Sequence, residues 1–173
     1  MSEPEVWLRG PVAGYAAGVQ PVVHALRQVM EDADREAAAA TAEEIWTSPG
    51  GAASAGFHLL HMANPLDRLM TYARGETLSE EQRRVAAGEQ AHGPVETEEL
   101  ILRVRDVIEA SLAQLQSTRE SELDEDRAVG GKRLPATVRG ILFHAAEHST
   151  RHMGQAITTL RIVRGLGIEA AHD

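Results

Sequence analysis

Hydrophobic residues recur at helical spacing in four stretches of the chain, each bracketed by residues that start or stop helices. In the first, from about Pro21 to Ala42, Val22, Leu26, Val29, Met30 and Ala33 share a face, and Pro21 suits a first helical turn. After the loop Thr47-Ser48-Pro49-Gly50-Gly51, Ser54 can cap a second helix that runs to about Arg74 and stops at Gly75. Its stripe of Leu59, Met62, Leu66, Leu69 and Met70 crosses Pro65, which cannot donate to the His61 carbonyl and is expected to kink the helix. A third helix is predicted from about Val95 to Glu122, with Glu96, Glu98 and Glu99 at the positive end of its dipole. Ile101, Val104, Val107, Ile108, Leu112 and Leu115 form its apolar face. The fourth is predicted to open at Pro135 and to end around Arg161, Arg164 and Gly165, with Leu142, Ala146, Ser149, Met153, Ala156, Leu160 and Val163 alternating at spacings of four and three. No stretch reads as a strand and no repeat is present. The expected fold class is all-α, a four-helix bundle forming a single domain over residues 1–173.

Composition narrows the chemistry. With 173 residues, the chain has the length of one domain at roughly 150 residues each, able to bury about two thirds of its unfolded surface. There is no cysteine, which excludes a disulfide scaffold, a thiolate-ligated zinc or iron-sulfur centre and a cysteine nucleophile. The formal net charge of −9, with no long run of Lys or Arg, argues against nucleic acid as a partner. No segment approaches the roughly 18 consecutive apolar residues of a membrane span, and Met1 to Trp7 carries Glu3 and Glu5 in place of the basic and apolar regions of a secretion signal. The expectation is a soluble cytoplasmic protein without membrane partners. Its alanine-rich helices, with Leu and Val stripes on several of them, are suited to pairing as a homodimer.

Eight histidines then stand out. His144, His148 and His152 follow one another at i, i+4 on the fourth helix. At 1.5 Å per residue the outer two are about 12 Å apart, too far to share one ion, so only neighbours can chelate together. With Leu142 at the centre of the apolar face and about 100° per residue, His152 lies near about −80°, His148 near about −120° and His144 near about −160°. His148 and His152 therefore border the core and His144 points most nearly to solvent. Two imidazoles at this spacing can hold one divalent ion, with a third ligand supplied by another helix. The second helix offers His58 and His61; its stripe passes beside His58 and misses His61, but a kink at Pro65 would shift the phase, and periodicity leaves the choice open.

Other patterns carry less. His24, His92 and His172 are isolated on a helix, in a glycine loop and at the terminus. Glu89-x-x-His92 has di-iron spacing, but Gly88, Gly93 and Pro94 argue against a helix there, and no second copy exists. His144-Ala-Ala-Glu147-His148 matches the pattern of inverted zinc peptidases, yet the 25 residues after His148 mostly complete the same helix and leave little room for the acidic ligand those enzymes require.

The capped helix start at Ser54, the segment His61-Met62-Ala63-Asn64, and the run Glu147-His148-x-x-Arg151-His152-x-Gly154-Gln155 followed by Leu160-Arg161 and Gly165 resemble the DinB/YfiT-like superfamily of small metal-binding four-helix bundles. The resemblance covers nearly the whole chain in helix order and length. It implies a metal site formed by His61, His148 and His152, with His58 and His144 as neighbours, Gly154 allowing close approach of another helix, and Gln155 hydrogen-bonding near the site. Members include transferases and isomerases that use low-molecular-weight thiols such as bacillithiol or mycothiol, and proteins without assigned activity. Three neutral imidazoles would leave a divalent ion its full charge and an open position, zinc being favoured chemically and nickel, iron or manganese also accommodated. The expected function is thus that of a metal-dependent transferase acting with a small-molecule thiol on an electrophile. The alternatives are a non-catalytic, stress-associated metal-binding bundle and a metal-dependent hydrolase with Glu147 as base. No catalytic side chain is assigned, and Trp46, Tyr72 and Arg161 are candidate pocket residues.

Overall fold

A computed structural model describes residues 3–89 and 95–170. Four long helices form the bundle: α1 (Gln20–Asp32), α3 (Ala55–Ala73), α5 (Thr97–Ser117) and α6 (Val138–Ala170). Two short helices, α2 (Ala42–Trp46) and α4 (Glu80–Gly88), lie between them, and an antiparallel hairpin of β1 (Asp126–Val129) and β2 (Leu134–Thr137) precedes α6. The core runs along the bundle axis through Leu26, Leu59, Leu66, Ile108, Met153 and Leu160, all essentially sealed from solvent.

Ser54 starts α3 as its spacing predicts, its hydroxyl accepting from the Phe57 amide at 3.2 Å. Gly75, at φ 78°, ends the helix in the left-handed conformation that glycine adopts without penalty, and its amide donates to the Tyr72 carbonyl at 2.9 Å. The helix continues through Pro65 without a break. It packs against α6 most extensively and also meets α5, α2 and α4. Burial accordingly extends well beyond the predicted stripe, to His58, Leu60, Ala63, Asn64 and Thr71. An amphipathic period has little to report on a helix with neighbours on so many sides.

Several boundaries differ from the periodic reading. The first helix leaves regular α geometry at Asp32, widens into a π turn over Ala33–Ala37 and does not reach Ala42. The alanine run favours helix, but Thr41 and Glu44 form a reciprocal capping box that begins α2, with the Thr41 hydroxyl accepting from the Glu44 amide and the Glu44 carboxylate from the Thr41 amide. Ser79 and Gln82 do the same for α4, which apolar spacing had not revealed because none of its residues is buried. The third helix starts at Thr97 and stops at Ser117, and Glu120–Glu122 is a separate single turn.

Pro135 does not open the fourth helix. It sits in β2 opposite Ala128, where a two-stranded ribbon leaves an edge that tolerates a residue without an amide hydrogen. Thr137 caps α6 instead, accepting from the Gly140 amide at 3.1 Å. The hairpin was absent from the sequence reading because its four-residue strands are mostly exposed or half-exposed and carry no alternating apolar signal.

Two glycines have opposite surroundings. A Cβ on Gly56 would fall 2.7 Å from ring carbons of Trp46, whose indole nitrogen is held by the Val95 carbonyl at 2.9 Å. On Gly154 a Cβ would meet nothing within 4 Å among the described residues, so this exposed glycine does not serve close approach of another described helix. Gly56→Ala is expected to lower stability by about 1–3 kcal/mol despite the better helix propensity of alanine, because the ring must move. Gly154→Ala should raise it by up to about 1 kcal/mol. Urea denaturation of the two variants beside the native protein measures both.

Candidate metal centre

Where α3 and α6 pack together, three imidazoles converge. His61 comes from the first half of α3, and His148 and His152 from successive turns of α6. One ring nitrogen from each lies within 4.8 Å of the others. Ring centroids are separated by 4.4 Å for His148 and His152, 4.7 Å for His61 and His152, and 5.3 Å for His61 and His148. Nitrogens around one tetrahedral ion at about 2.0–2.1 Å stand about 3.4 Å apart, so rotations that bring the nitrogens together by up to about 1.4 Å would close the set on a single cation. Burial fits the angular reading of α6: His148 is 8% exposed, whereas the side chain of His144 is 53% exposed.

The surroundings of His148 and His152 disfavour the charged form of both rings. His148 and His152 are both pushed down to about 4, first by burial and then by the neighbouring imidazoles and Arg151. His58 is shifted in the same direction, again mainly by burial. Neutral imidazole is the form that binds a metal, and the buried Nδ1 of His148 has no hydrogen-bond partner among the described residues. Three imidazoles, two of them held neutral and one with an unpartnered buried ring atom, fit a divalent cation.

His58 lies beside the cluster, its Nδ1 3.2 Å from Nδ1 of His152, so that one ring can donate to the other. His61 is stacked on Phe57, with centroids 5.5 Å apart and planes 7° from parallel. The residue that sequence reasoning missed is Glu89. At the end of α4, its Oε1 stands 3.3 Å from His61 Nδ1 and its Oε2 accepts from Arg68 at 2.8 Å. Glu89-x-x-His92 had drawn notice only as a di-iron spacing; the Ser79/Gln82 capping box was the available signal that a helix carries Glu89 inward, while His92 falls outside the described residues.

Other candidates lie elsewhere. Glu147 turns outward, its side chain 41% exposed and paired with Arg151 at 3.0 Å. Gln155 is exposed, and Arg161 pairs with Glu36 on the surface. Tyr72 lines a cleft of about 670 Å³ with Arg83, Arg127 and Arg133, eleven residues along α3 from His61. Trp46 packs at the start of α3 against Gly56. His24 is close to the Gly10 carbonyl, and His172 is outside the described residues.

Fold and site together define a helical bundle that could hold a metal ion between two of its long helices. The chain belongs to the DinB superfamily, whose sequence profile matches residues 24–156. Among solved structures it is similar to a conserved protein from Enterococcus faecalis, with a TM-score of 0.60 and 23% identity over 85% of this chain and 97% of that one. That likeness extends to the fold. Among curated proteins none matches the sequence. No helix among the described residues is long and apolar enough to cross a membrane.

The depressed histidines predict an acid dependence for the metal-free protein. An unfolded histidine binds a proton below about 6.5, whereas folded His148 and His152 do so only near 4. The unfolded state thus holds more protons between these values, and stability falls as the pH drops through that window. In His148→Asn/His152→Asn the loss of urea midpoint from pH 6.5 to 4.5 should be smaller than in the native protein. Equal losses would count against the shifts.

Proposed function

We propose that His61, His148 and His152 bind one divalent metal ion, zinc being the first choice for three nitrogen ligands, and that the protein is a metal-dependent transferase acting with a low-molecular-weight thiol on an electrophilic small molecule. The observation that carries the reading is the convergence of three imidazoles from two helices within 4.8 Å, two of them held neutral by their surroundings. Uncharged ligands leave the ion its full charge, and three of them leave a coordination position for a small molecule; an ion so held lowers the pKa of a thiol or water at that position.

The protein's own residues contribute placement. α3 and α6 hold the imidazoles from opposite sides, Phe57 fixes the face of His61, and burial of His148 lowers the local dielectric. The chain has no cysteine to act as nucleophile or to compete for the ion, so the reacting thiol would arrive with the substrates. Glu147 is a poor candidate for a general base because its carboxylate is engaged by Arg151 on the outer face, which weighs against a hydrolase.

Metal analysis of the purified protein, followed by zinc titration after chelator treatment, tests the site. About one ion per chain is expected, and zinc at 100 times its Kd should stabilise the fold by about 2.7 kcal/mol. His148→Ala should abolish both effects. Transferase activity is then assayed with bacillithiol, mycothiol and glutathione against a panel of electrophiles. Metal-dependent stabilisation without thiol binding would favour a non-catalytic bundle, and a metal-free protein indifferent to His148→Ala would overturn the site.

A further inference from the structure

We infer that Glu89 is a positioning residue: its carboxylate, clamped by Arg68, holds the proton of His61 on Nδ1 and so presents Nε2 to the cluster. The inference rests on the metal-site reading above and concerns a residue outside the ligand set. Glu89 is only 13% exposed, and its two oxygens have separate tasks. Oε2 accepts from the Arg68 guanidinium, which lies two turns along α3 from His61 and therefore on the same side. Oε1 faces His61 Nδ1 at 3.3 Å, just out of hydrogen-bond alignment, and both atoms lack another partner among the described residues.

A carboxylate accepts hydrogen bonds and cannot donate them when ionised, so the ring nitrogen beside it is the one that carries hydrogen. The lone pair of neutral His61 then resides on Nε2, across the ring from Glu89. Phe57 fixes the plane of the ring by stacking, and the carboxylate selects which edge is the ligand. Attachment of α4 to the bundle does not account for the contact, because Gln82 already binds Asp67 and Thr71 of α3 at 2.8 Å each. The other two rings lack this arrangement among the described residues: His152 Nδ1 faces the His58 ring, and His148 Nδ1 has no partner there. His61, the single ligand from α3 and 31% exposed on its side chain, is the one with most freedom to turn away.

The tautomer can be read by nitrogen-15 NMR of histidine-labelled, metal-free protein near neutral pH. His61 is expected in the Nδ1–H form in the native protein, in the Nε2–H form in Glu89→Gln, whose one amide oxygen stays with Arg68 and whose NH2 then faces Nδ1, and in a mixture of tautomers in Glu89→Ala. Zinc affinity, measured by chelator competition, should fall about 10- to 100-fold in Glu89→Ala and at least as far in Glu89→Gln. A purely structural Glu89 would lower the melting temperature in the alanine variant without moving either readout. The inference is overturned if native His61 is the Nε2–H tautomer, if Glu89→Ala leaves the tautomer unchanged, or if Glu89→Ala binds zinc as tightly as the native protein. Absence of zinc binding by the native protein would refute the metal reading, while the tautomer still decides what Glu89 does to His61.

Discussion

The packing of α3 against α6 is the contact that brings His61 to His148 and His152. It is the most extensive helix pairing in the bundle. An i, i+4 pair on α6 can supply only two ligands by itself, so the third requires α3 to sit at one depth and one rotation. Ser54 and Gly75 set the ends of α3, and the fit of Gly56 under Trp46 sets how closely its first turn meets α2.

Electrostatics act within that frame. The protein as a whole is strongly acidic, yet the immediate environment of the cluster lowers the basicity of its rings through burial and through Arg151. Acidic groups are kept to defined places: Glu147 outside, tied to Arg151, and Glu89 at one edge, tied to Arg68. An imidazole cluster could hold a cation without neutralising its charge, and a carboxylate beside one ring could orient that ring without entering the cluster itself. The same three nitrogens surrounded by carboxylate ligands would make a different centre, better suited to harder cations.

Legibility followed burial geometry. On α6 one face is buried and the other is in water, so angular position alone separated His148 and His152 from His144. On α3 neighbours lie on several sides, and apolar spacing had no clear phase with which to choose His61 over His58; family resemblance pointed to His61, and tertiary packing brings it to the other two. Glu89 was hidden for a different reason. It reaches the cluster from a helix with no buried residue, where capping chemistry at Ser79 and Gln82 was the informative pattern and hydrophobic periodicity was silent. Pro135 misled because proline favours the first turn of a helix and the edge of a ribbon alike.

By itself the sequence determined a bundle of four long helices, the start and stop of α3, and a pair of histidines on the border of the α6 core, because caps and a one-sided apolar face are local properties of the chain. Tertiary structure decided that His61 of α3 comes within 4.8 Å of both members of that pair while His58 lies beside His152, that a glutamate at the end of a short intervening helix stands next to His61, and that a hairpin rather than a helical turn at Pro135 leads into α6. Those outcomes depend on the depth and rotation at which separate helices meet, and no periodicity within one helix encodes them.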